Sequence, residues 1–211
     1  MRILVLGASQ GTGALCVKYA LEKGHQVTAF ARSPQKLALE HPSLTKLAGD
    51  FHKVADVEKA VPGHDAVIIT ASVSKLSAFR ENPTYFSQGT AYAIDAMKKS
   101  GVKRLVVLSA FGAGESVAAA NLFMRVLLVN FILKHAFSDH DRQEKMVKES
   151  GLEWVIARPT MLTNGALKQK YQAKTAIESV PNAISRADVA DFMVKACEQP
   201  DWVGHGVQLG G

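Results

Sequence analysis

Short apolar segments alternate with segments of helical character along the whole chain. The apolar runs are "RILVLG", "QVTAFAR", "LTKLAGD", "DAVIITAS", "VKRLVVLSA" and "LEWVIARP". Between them lie amphipathic segments such as "GTGALCVKYALEKG" and "TYFSQGTAYAIDAMKKSG", which end on glycine, a residue common just after helices. Strands that are apolar throughout and alternate with helices form parallel sheets covered on both faces. We therefore predict an α/β fold, a single domain with a doubly wound parallel sheet, completed by a late helix "SRADVADFMVKACEQ" and a short strand "GVQLGG".

The composition is typical of a folded domain and excludes a disordered chain. Of the 211 residues, 47% are hydrophobic and 21% are charged. The net charge is +6, but the basic residues are scattered, so we expect a solvated surface and neither a nucleic-acid nor a membrane partner. The same positive potential is compatible with a small phosphorylated ligand. Two isolated cysteines, Cys16 and Cys197, and the absence of a visible secretory signal favour the cytoplasm and predict neither a disulfide nor a metal site.

A glycine-rich turn, "LGASQGTGAL", follows the first predicted strand. Its glycines are Gly7, Gly11 and Gly13, with the spacing G-x-x-x-G-x-G. In doubly wound folds this turn lies at the carboxyl edge of the sheet, where ligands bind. Glycines let the backbone approach a pyrophosphate, and the following helix directs its free N–H groups and the positive end of its dipole at the phosphates. Ser9 and Thr12 add hydroxyl donors, so the turn predicts a dinucleotide site; the alternative is a merely tight turn.

The end of the second strand predicts which dinucleotide binds. NAD sites usually place Asp or Glu here to accept hydrogen bonds from the ribose hydroxyls, whereas this chain has Arg32, Ser33 and Lys36. A cation pairs with a 2′-phosphate instead, which favours NADP, unless Arg32 simply faces solvent. After the third strand, Asp50 is expected at the adenine end, where a carboxylate can accept from the exocyclic amine. The alternative for Asp50 is an N-cap of the next helix.

Several motifs together resemble one known family. "GASQGTG", "ARSPQKL", "GDFHKVADVEKAVPGHDAVI", "VVLSAFG", "ESGLEWVIARPT" and "ISRADVADFM" are similar to motifs of the atypical short-chain dehydrogenase/reductases. Within that family the chain resembles the NmrA-like and biliverdin reductase B (flavin reductase) group. The resemblance implies a Rossmann-like fold, bound NADP(H), and cofactor contacts from Gly7, Ser9, Gln10, Gly11, Thr12, Gly13, Arg32, Lys36, Asp50, Phe51, Thr70, Ala71 and Ser109. The group's usual spacing places a glycine at position 10, where this chain has Gln10.

A second departure from the family concerns the chemistry. Short-chain dehydrogenases that act on alcohols and ketones use Tyr-x-x-x-Lys, and Lys145 falls where that lysine belongs. Asp141 stands at the tyrosine position. The chain's one Tyr-x-x-x-Lys, Tyr19 to Lys23, lies in the first helix behind the glycine-rich turn, and we interpret it as a coincidence. Carbonyl reduction by the tyrosine mechanism is therefore disfavoured.

The remaining candidates lie at the ends of the fifth and sixth strands. Ser109 is the first active-site candidate, as a donor to the substrate or to the nicotinamide carboxamide, with a turn serine as the alternative. Lys145 is the second, as a contact to the nicotinamide ribose or to an anionic substrate, with a surface lysine as the alternative. We expect Pro159 and Thr160 to line the nicotinamide pocket. His140 aligns with a family histidine and is not assigned a catalytic role, and the flavin reductase group has a histidine near position 161, where this chain has Met161.

These residues predict a reductase of electron-poor conjugated molecules. Flavins and quinones accept hydride readily, and solvent can supply the proton that a tyrosine would otherwise give. We expect an NADPH-dependent oxidoreductase that passes hydride to a flavin, quinone or similar small molecule, active as a monomer or homodimer. One alternative is a regulator that senses NADP(H) without turnover, as NmrA-like proteins do. The other is an epimerase or isomerase that uses bound NADP.

One apolar segment, residues 116–137, does not match the alternating pattern. It reads "SVAAANLFMRVLLVNFILKHAF", is interrupted by Asn121, Arg125 and Asn130, and has too short an uncharged stretch for a membrane span. We predict a substrate-side helical insertion over residues 111–138 that covers an aromatic substrate. A dimer contact or plain core are the alternatives.

Overall fold

A computed structural model describes residues 1–71, 82–119 and 131–211 of the chain. Ten strands are present in these residues: β1 Arg2–Leu6, β2 Gln26–Ala31, β3 Leu44–Ala48, β4 Ala66–Ile69, β5 Arg104–Leu108, β6 Glu153–Pro159, β7 Met161–Thr163, β8 Gln172–Lys174, β9 Ala183–Ser185 and β10 His205–Gly210. The same residues contain five α-helices: α1 Gly11–Glu22, α2 Val54–Ala60, α3 Tyr85–Ser100, α4 Phe131–Lys148 and α5 Arg186–Glu198. Short 3₁₀ turns cover Pro34–Lys36, Gly114–Ala119 and Pro200–Trp202.

Eight strands form one sheet in the order β3-β2-β1-β4-β5-β6-β10-β8. The first seven in this order pair in parallel, and only β8 at the edge is antiparallel, to β10. The strand order reverses between β1 and β4, which creates the crevice where doubly wound folds bind ligands. The two remaining strands, β7 and β9, pair in parallel beside the main sheet.

Helices cover the sheet on both faces, because the central strands are apolar on both. In β1, Ile3 and Val5 pack with α1 and α5, while Leu4 and Leu6 pack with α2, α3 and α4. All four side chains are completely buried. The predicted α/β fold with a doubly wound parallel sheet is confirmed, as is the closing strand near the end of the chain. The antiparallel edge strand β8 and the small β7–β9 pair were not predicted.

The apolar segment 116–137 is only partly described. Residues 114–119 form a 3₁₀ turn and residues 131–137 begin α4, whereas 120–130 lie outside the described residues. The predicted helical insertion over 111–138 therefore stays a prediction. In the described part of the chain, no helix is both long and apolar enough to cross a bilayer.

Candidate cofactor site

The glycine-rich turn lies where β1, β2 and β4 end together. The N–H groups of Gly7 and Ala8 both donate to the carbonyl oxygen of Phe30 in β2, at 3.0 and 3.2 Å. The hydroxyl of Thr70, just after β4, donates to the carbonyl oxygens of Leu6 and Gly7, at 3.2 and 3.4 Å. These bonds fix the turn at the point where the strand order reverses.

Two of the three glycines are required by close backbone packing. Gly7 has φ +96°, and a Cβ there would lie 2.8 Å from the backbone nitrogen of Ala71. A Cβ on Gly13 would overlap the carbonyl oxygen of Gly7 and lie 2.6 Å from the Thr70 hydroxyl. These two glycines bring the first turn of α1 against β1 and β4, as the sequence predicts for a nucleotide-binding turn.

The first turn of α1 offers its N–H groups without a competing side chain. The N-cap residue is Gln10, whose side chain makes no capping hydrogen bond, and the first turn contains no acidic residue. The first N–H groups of a helix lack partners within the helix and carry the positive end of its dipole. The arrangement therefore suits an anionic group above Gly11.

Beside this turn the structure has an open cavity of about 180 Å³. It is lined by residues from the ends of the first four strands and the start of α3: Gly7, Ser9, Gln10, Phe30, Ala31, Arg32, Ser33, Lys36, Gly49, Asp50, Phe51, Ala71 and Tyr85. Among the predicted contacts, the cavity brings together Gly7, Ser9, Gln10, Arg32, Lys36, Asp50, Phe51 and Ala71. Gly11, Thr12, Gly13 and Thr70 build the adjoining turn instead of lining this cavity. We refer to this space as the adenosine cavity, after the part of the cofactor that the sequence predicts there.

Asp50 is the carboxylate among the described residues that line the adenosine cavity, and Arg32 and Lys36 are its cations. The Asp50 carboxylate accepts the N–H of His52 at 3.0 Å. Burial would raise the pKa of Asp50, but hydrogen bonds from His52 and the nearby charge of Arg32 hold that pKa below its usual value. Asp50 is thus ionised at neutral pH. It does not cap α2, because the N-cap of that helix is Lys53.

Tyr85 is a cavity residue that sequence reasoning missed. Its carbonyl oxygen accepts from the His52 ring at 2.8 Å, and the two rings lie 4.3 Å apart. Burial raises the pKa of the Tyr85 hydroxyl, while the positive charge of Arg32 acts in the opposite direction. The Tyr85 side chain thus lies within electrostatic reach of Arg32 at the end of β2. An aromatic residue at the start of the helix after β4 was the available signal.

Ser109 lies in a buried polar cluster. Its hydroxyl donates to Glu144 Oε1 at 2.7 Å, and Arg158 donates to both oxygens of Glu144 at 3.0 and 2.6 Å. Glu115 completes the cluster, 3.0 Å from Arg158, and holds a pKa of about 2 because Lys148 and Arg158 outweigh its burial. Sequence reasoning missed this cluster, although a charged residue inside the apolar run "LEWVIARP" was a signal. The predicted active-site role of Ser109 stays a prediction.

The other predicted active-site residues are spread over different environments. Lys145 has a mostly exposed side chain, 4.0 Å from Glu149, and does not line the adenosine cavity. Thr160 follows Pro159 at the end of β6, and its hydroxyl donates to the carbonyl oxygens of Pro181 and Leu209 at 2.9 and 3.2 Å. The roles of Lys145, Pro159 and Thr160 stay predictions.

His140 and Asp141 both have structural partners at the start of the second half of α4. The His140 ring stacks on Phe86 at 4.2 Å, and burial lowers its pKa. Asp141, at the position of the family's tyrosine, accepts the N–H of Gly114 at 2.6 Å. Among the described residues, no group of three or more His, Cys, Asp or Glu is arranged to hold a metal ion.

Solved structures with the same fold include one determined in complex with NADP. A short-chain dehydrogenase/reductase from Veillonella parvula, in complex with NADP, superimposes with a TM-score of 0.83 at 16% identity, covering 100% of this chain and 94% of that chain. ChuY, an anaerobillin reductase from Escherichia coli O157:H7, superimposes with a TM-score of 0.80 at 22% identity, covering 100% of this chain and 97% of that one. At these identities the likeness shows a common fold.

Sequence comparison extends the resemblance to a family. A 3-beta-hydroxysteroid dehydrogenase from Mycolicibacterium neoaurum is 35% identical over 113 residues, which are 50% of this chain and 31% of that protein. This chain thus matches about a third of the length of that relative. The NAD(P)H-binding family matches over residues 7–200, from the first glycine of the turn to beyond α5. With its parallel sheet and glycine-rich turn, the chain belongs to the NAD(P)H-binding family.

Proposed function

We propose that the protein is an NADPH-dependent reductase that passes hydride to a conjugated small-molecule acceptor such as a flavin or a quinone. The observation that carries the proposal is the charge at the end of β2. Arg32 and Lys36 line the adenosine cavity together with Ser33. The only carboxylate among the described lining residues is Asp50, which follows β3 rather than β2.

These cations support NADP over NAD. Asp or Glu at the end of β2 would accept hydrogen bonds from the two ribose hydroxyls of NAD, and a guanidinium or ammonium cannot. Each can instead donate charge-assisted hydrogen bonds to a 2′-phosphate, worth roughly 1.5–3 kcal/mol each. A single such bond corresponds to a preference for NADP of about 10- to 150-fold.

The chain's own residues would hold the cofactor in three places. The N–H groups of the glycine-rich turn and α1 would face the diphosphate, Arg32 and Lys36 the 2′-phosphate, and Asp50 the adenine amine. Phe51 and Tyr85 would supply apolar and aromatic surface beside the adenine. The nicotinamide, when bound, supplies the hydride.

The choice of acceptor class depends on which group can donate a proton to the reduced acceptor. Asp141 occupies the position of the family's tyrosine and is engaged with the Gly114 N–H, so it does not replace a phenol as proton donor. Reduction of a simple ketone requires a proton at the developing alkoxide. A flavin or quinone delocalises the incoming charge and can take its proton from water, so it does not need that tyrosine.

The proposal is tested by measuring NADPH and NADH oxidation with FMN, FAD, a series of quinones and a simple ketone. We expect turnover of flavin or quinone with NADPH preferred at least tenfold, and no turnover of the ketone. Tight NADPH binding without oxidation in the presence of any acceptor would refute the reductase and favour a sensor of the NADP(H) state. Equal rates with NADH would refute the role of Arg32.

A further inference from the structure

Arg186, the first residue of α5, lies against the glycine-rich turn although 174 residues separate it from Thr12. A Cβ built on Gly11 would lie 3.9 Å from Arg186 Cδ and 4.0 Å from its Nε. The Arg186 side chain would therefore be in van der Waals contact with a Cβ at position 11, so its guanidinium lies next to the turn. This places a positive charge beside the start of α1, on the side contributed by α5.

Among the described residues, the guanidinium of Arg186 contacts only neutral oxygen atoms. Its Nη1 donates to Asn164 Oδ1 at 2.8 Å and to the Leu162 carbonyl oxygen at 3.5 Å. Within the described part of the chain, the Arg186 side chain forms no ion pair and no further hydrogen bond. Arg158, by contrast, forms ion pairs with two glutamates. A guanidinium has five N–H donors, so Nε and Nη2 keep donors available for a ligand.

The position of Arg186 is set by rigid parts of the fold. Ser185 caps α5 by accepting the N–H of Asp188 at 2.9 Å, and α5 packs against α1 in one of the two apolar cores. Asn164, just after β7, holds one end of the guanidinium. An arginine held in this way loses less side-chain entropy when it binds an anion.

We propose that Arg186 binds the diphosphate of the pyridine dinucleotide, opposite the N–H groups of α1. The inference rests on the proposed binding of a dinucleotide at the glycine-rich turn. Arg186 does not line the adenosine cavity, where Arg32 and Lys36 lie. It therefore faces the part of the cofactor that NADPH and NADH share, and it adds affinity without choosing between them.

The test compares four variants with wild type by titrating NADPH, NADH and 2′-AMP, which carries the 2′-phosphate but lacks the diphosphate. Arg186→Gln is expected to weaken NADPH and NADH binding by the same factor, about 10- to 100-fold, and to leave 2′-AMP unchanged. Arg32→Gln is expected to weaken NADPH and 2′-AMP but not NADH. Lys98→Gln removes one exposed charge at the last turn of α3, far along the chain from both sites, and is expected to change none of the three.

The outcomes separate the inference from the proposed function. Arg186→Gln with wild-type affinity for both dinucleotides would overturn the inference, as would a loss confined to NADPH. Loss of 2′-AMP binding in Arg186→Gln would indicate general damage to the site and would also count against the inference. Arg186→Lys, which keeps the charge, is expected to retain more NADPH affinity than Arg186→Gln. If the wild-type protein binds the dinucleotides but reduces no acceptor, only the proposed reductase activity is refuted. If it binds neither NADPH nor NADH, the proposed function and the inference about Arg186 are both overturned.

Discussion

Gly13 shows how little space the glycine-rich turn leaves around its backbone. It belongs to the first turn of α1, where its missing side chain lets the helix approach the carbonyl oxygen of Gly7 and the hydroxyl of Thr70. Neither neighbour can move easily, because Thr70 donates to the backbone of β1 and Gly7 is bonded to β2. The glycine is thus needed for packing of the helix on the sheet, in addition to its predicted role in ligand access.

Gly13→Ala is expected to lower the free energy of unfolding by about 1–3 kcal/mol, the usual cost of overpacking. The better helix propensity of alanine offsets at most about 1 kcal/mol of this. Urea denaturation measures the change. Gly165→Ala is the control, since a Cβ there makes only ordinary contacts at 3.4 and 3.7 Å. A Gly13→Ala protein as stable as wild type would show that the turn can relax.

At the level of elements, α3 and α4 are joined by a buried carboxylate. The first turn of α3 has no side-chain cap of its own; instead, Asp139 of α4 accepts the N–H of Phe86 at 2.6 Å and the hydroxyl of Ser87. The Asp139 side chain is completely buried. One helix therefore satisfies the free N–H groups of another, and this fixes how α3 meets the sheet beside the adenosine cavity.

Asp139→Ala is expected to destabilise the protein by about 1–3 kcal/mol, because it leaves buried N–H donors without an acceptor. Amide hydrogen exchange should also become faster at Phe86 and Ser87. Asp95→Asn, on the exposed face of α3, serves as the control and should change neither measurement. Unchanged exchange at Phe86 in the Asp139 variant would contradict the capping role.

At the scale of the whole molecule, the free energy of unfolding depends on pH through His140 and Glu115, which are deprotonated in the folded protein at neutral pH. Burial lowers the pKa of His140 below 6.5, outweighing Gln143 and the nearby carboxylates, among them Glu144. Glu115 has its pKa lowered from 4.5 to about 2 by its cationic partners. Both groups bind protons more weakly in the folded state than in the unfolded chain. Their contributions are therefore complete at high pH and are lost as the pH falls.

We expect the free energy of unfolding to decrease in two stages on acidification. The His140 contribution is lost as the pH falls below 6.5, and the Glu115 contribution as the pH falls from 4.5 to about 2. Denaturation curves across this range measure both. His140→Gln should remove the first stage, whereas Glu115→Gln should only reduce the second, because Asp50 and other carboxylates also have a lowered pKa in the folded protein. A profile with the first stage intact in His140→Gln would contradict the assignment.

Local patterns were sufficient to predict the fold and the position of the glycine-rich turn. Apolar strands such as Arg2–Leu6 must be buried on both faces, and this requires helices above and below a parallel sheet. Arg32 and Lys36 could also be identified from the sequence, because they lie in one short segment whose place at the end of β2 was predicted. The choice of NADP, the acceptor and the roles of Ser109 and Lys145 stay predictions.

The sequence by itself thus determined the order of strands and helices, because burial of each segment depends on its own side chains. Only the tertiary structure decided which distant residues meet: Tyr85 with the end of β2, Glu144 with Arg158 and Ser109, and Arg186 with Gly11. Such contacts depend on strand order and on how helices pack across the sheet. No local pattern encodes these contacts, since the partners are separated along the chain and one segment alone does not show which residues its side chains will meet.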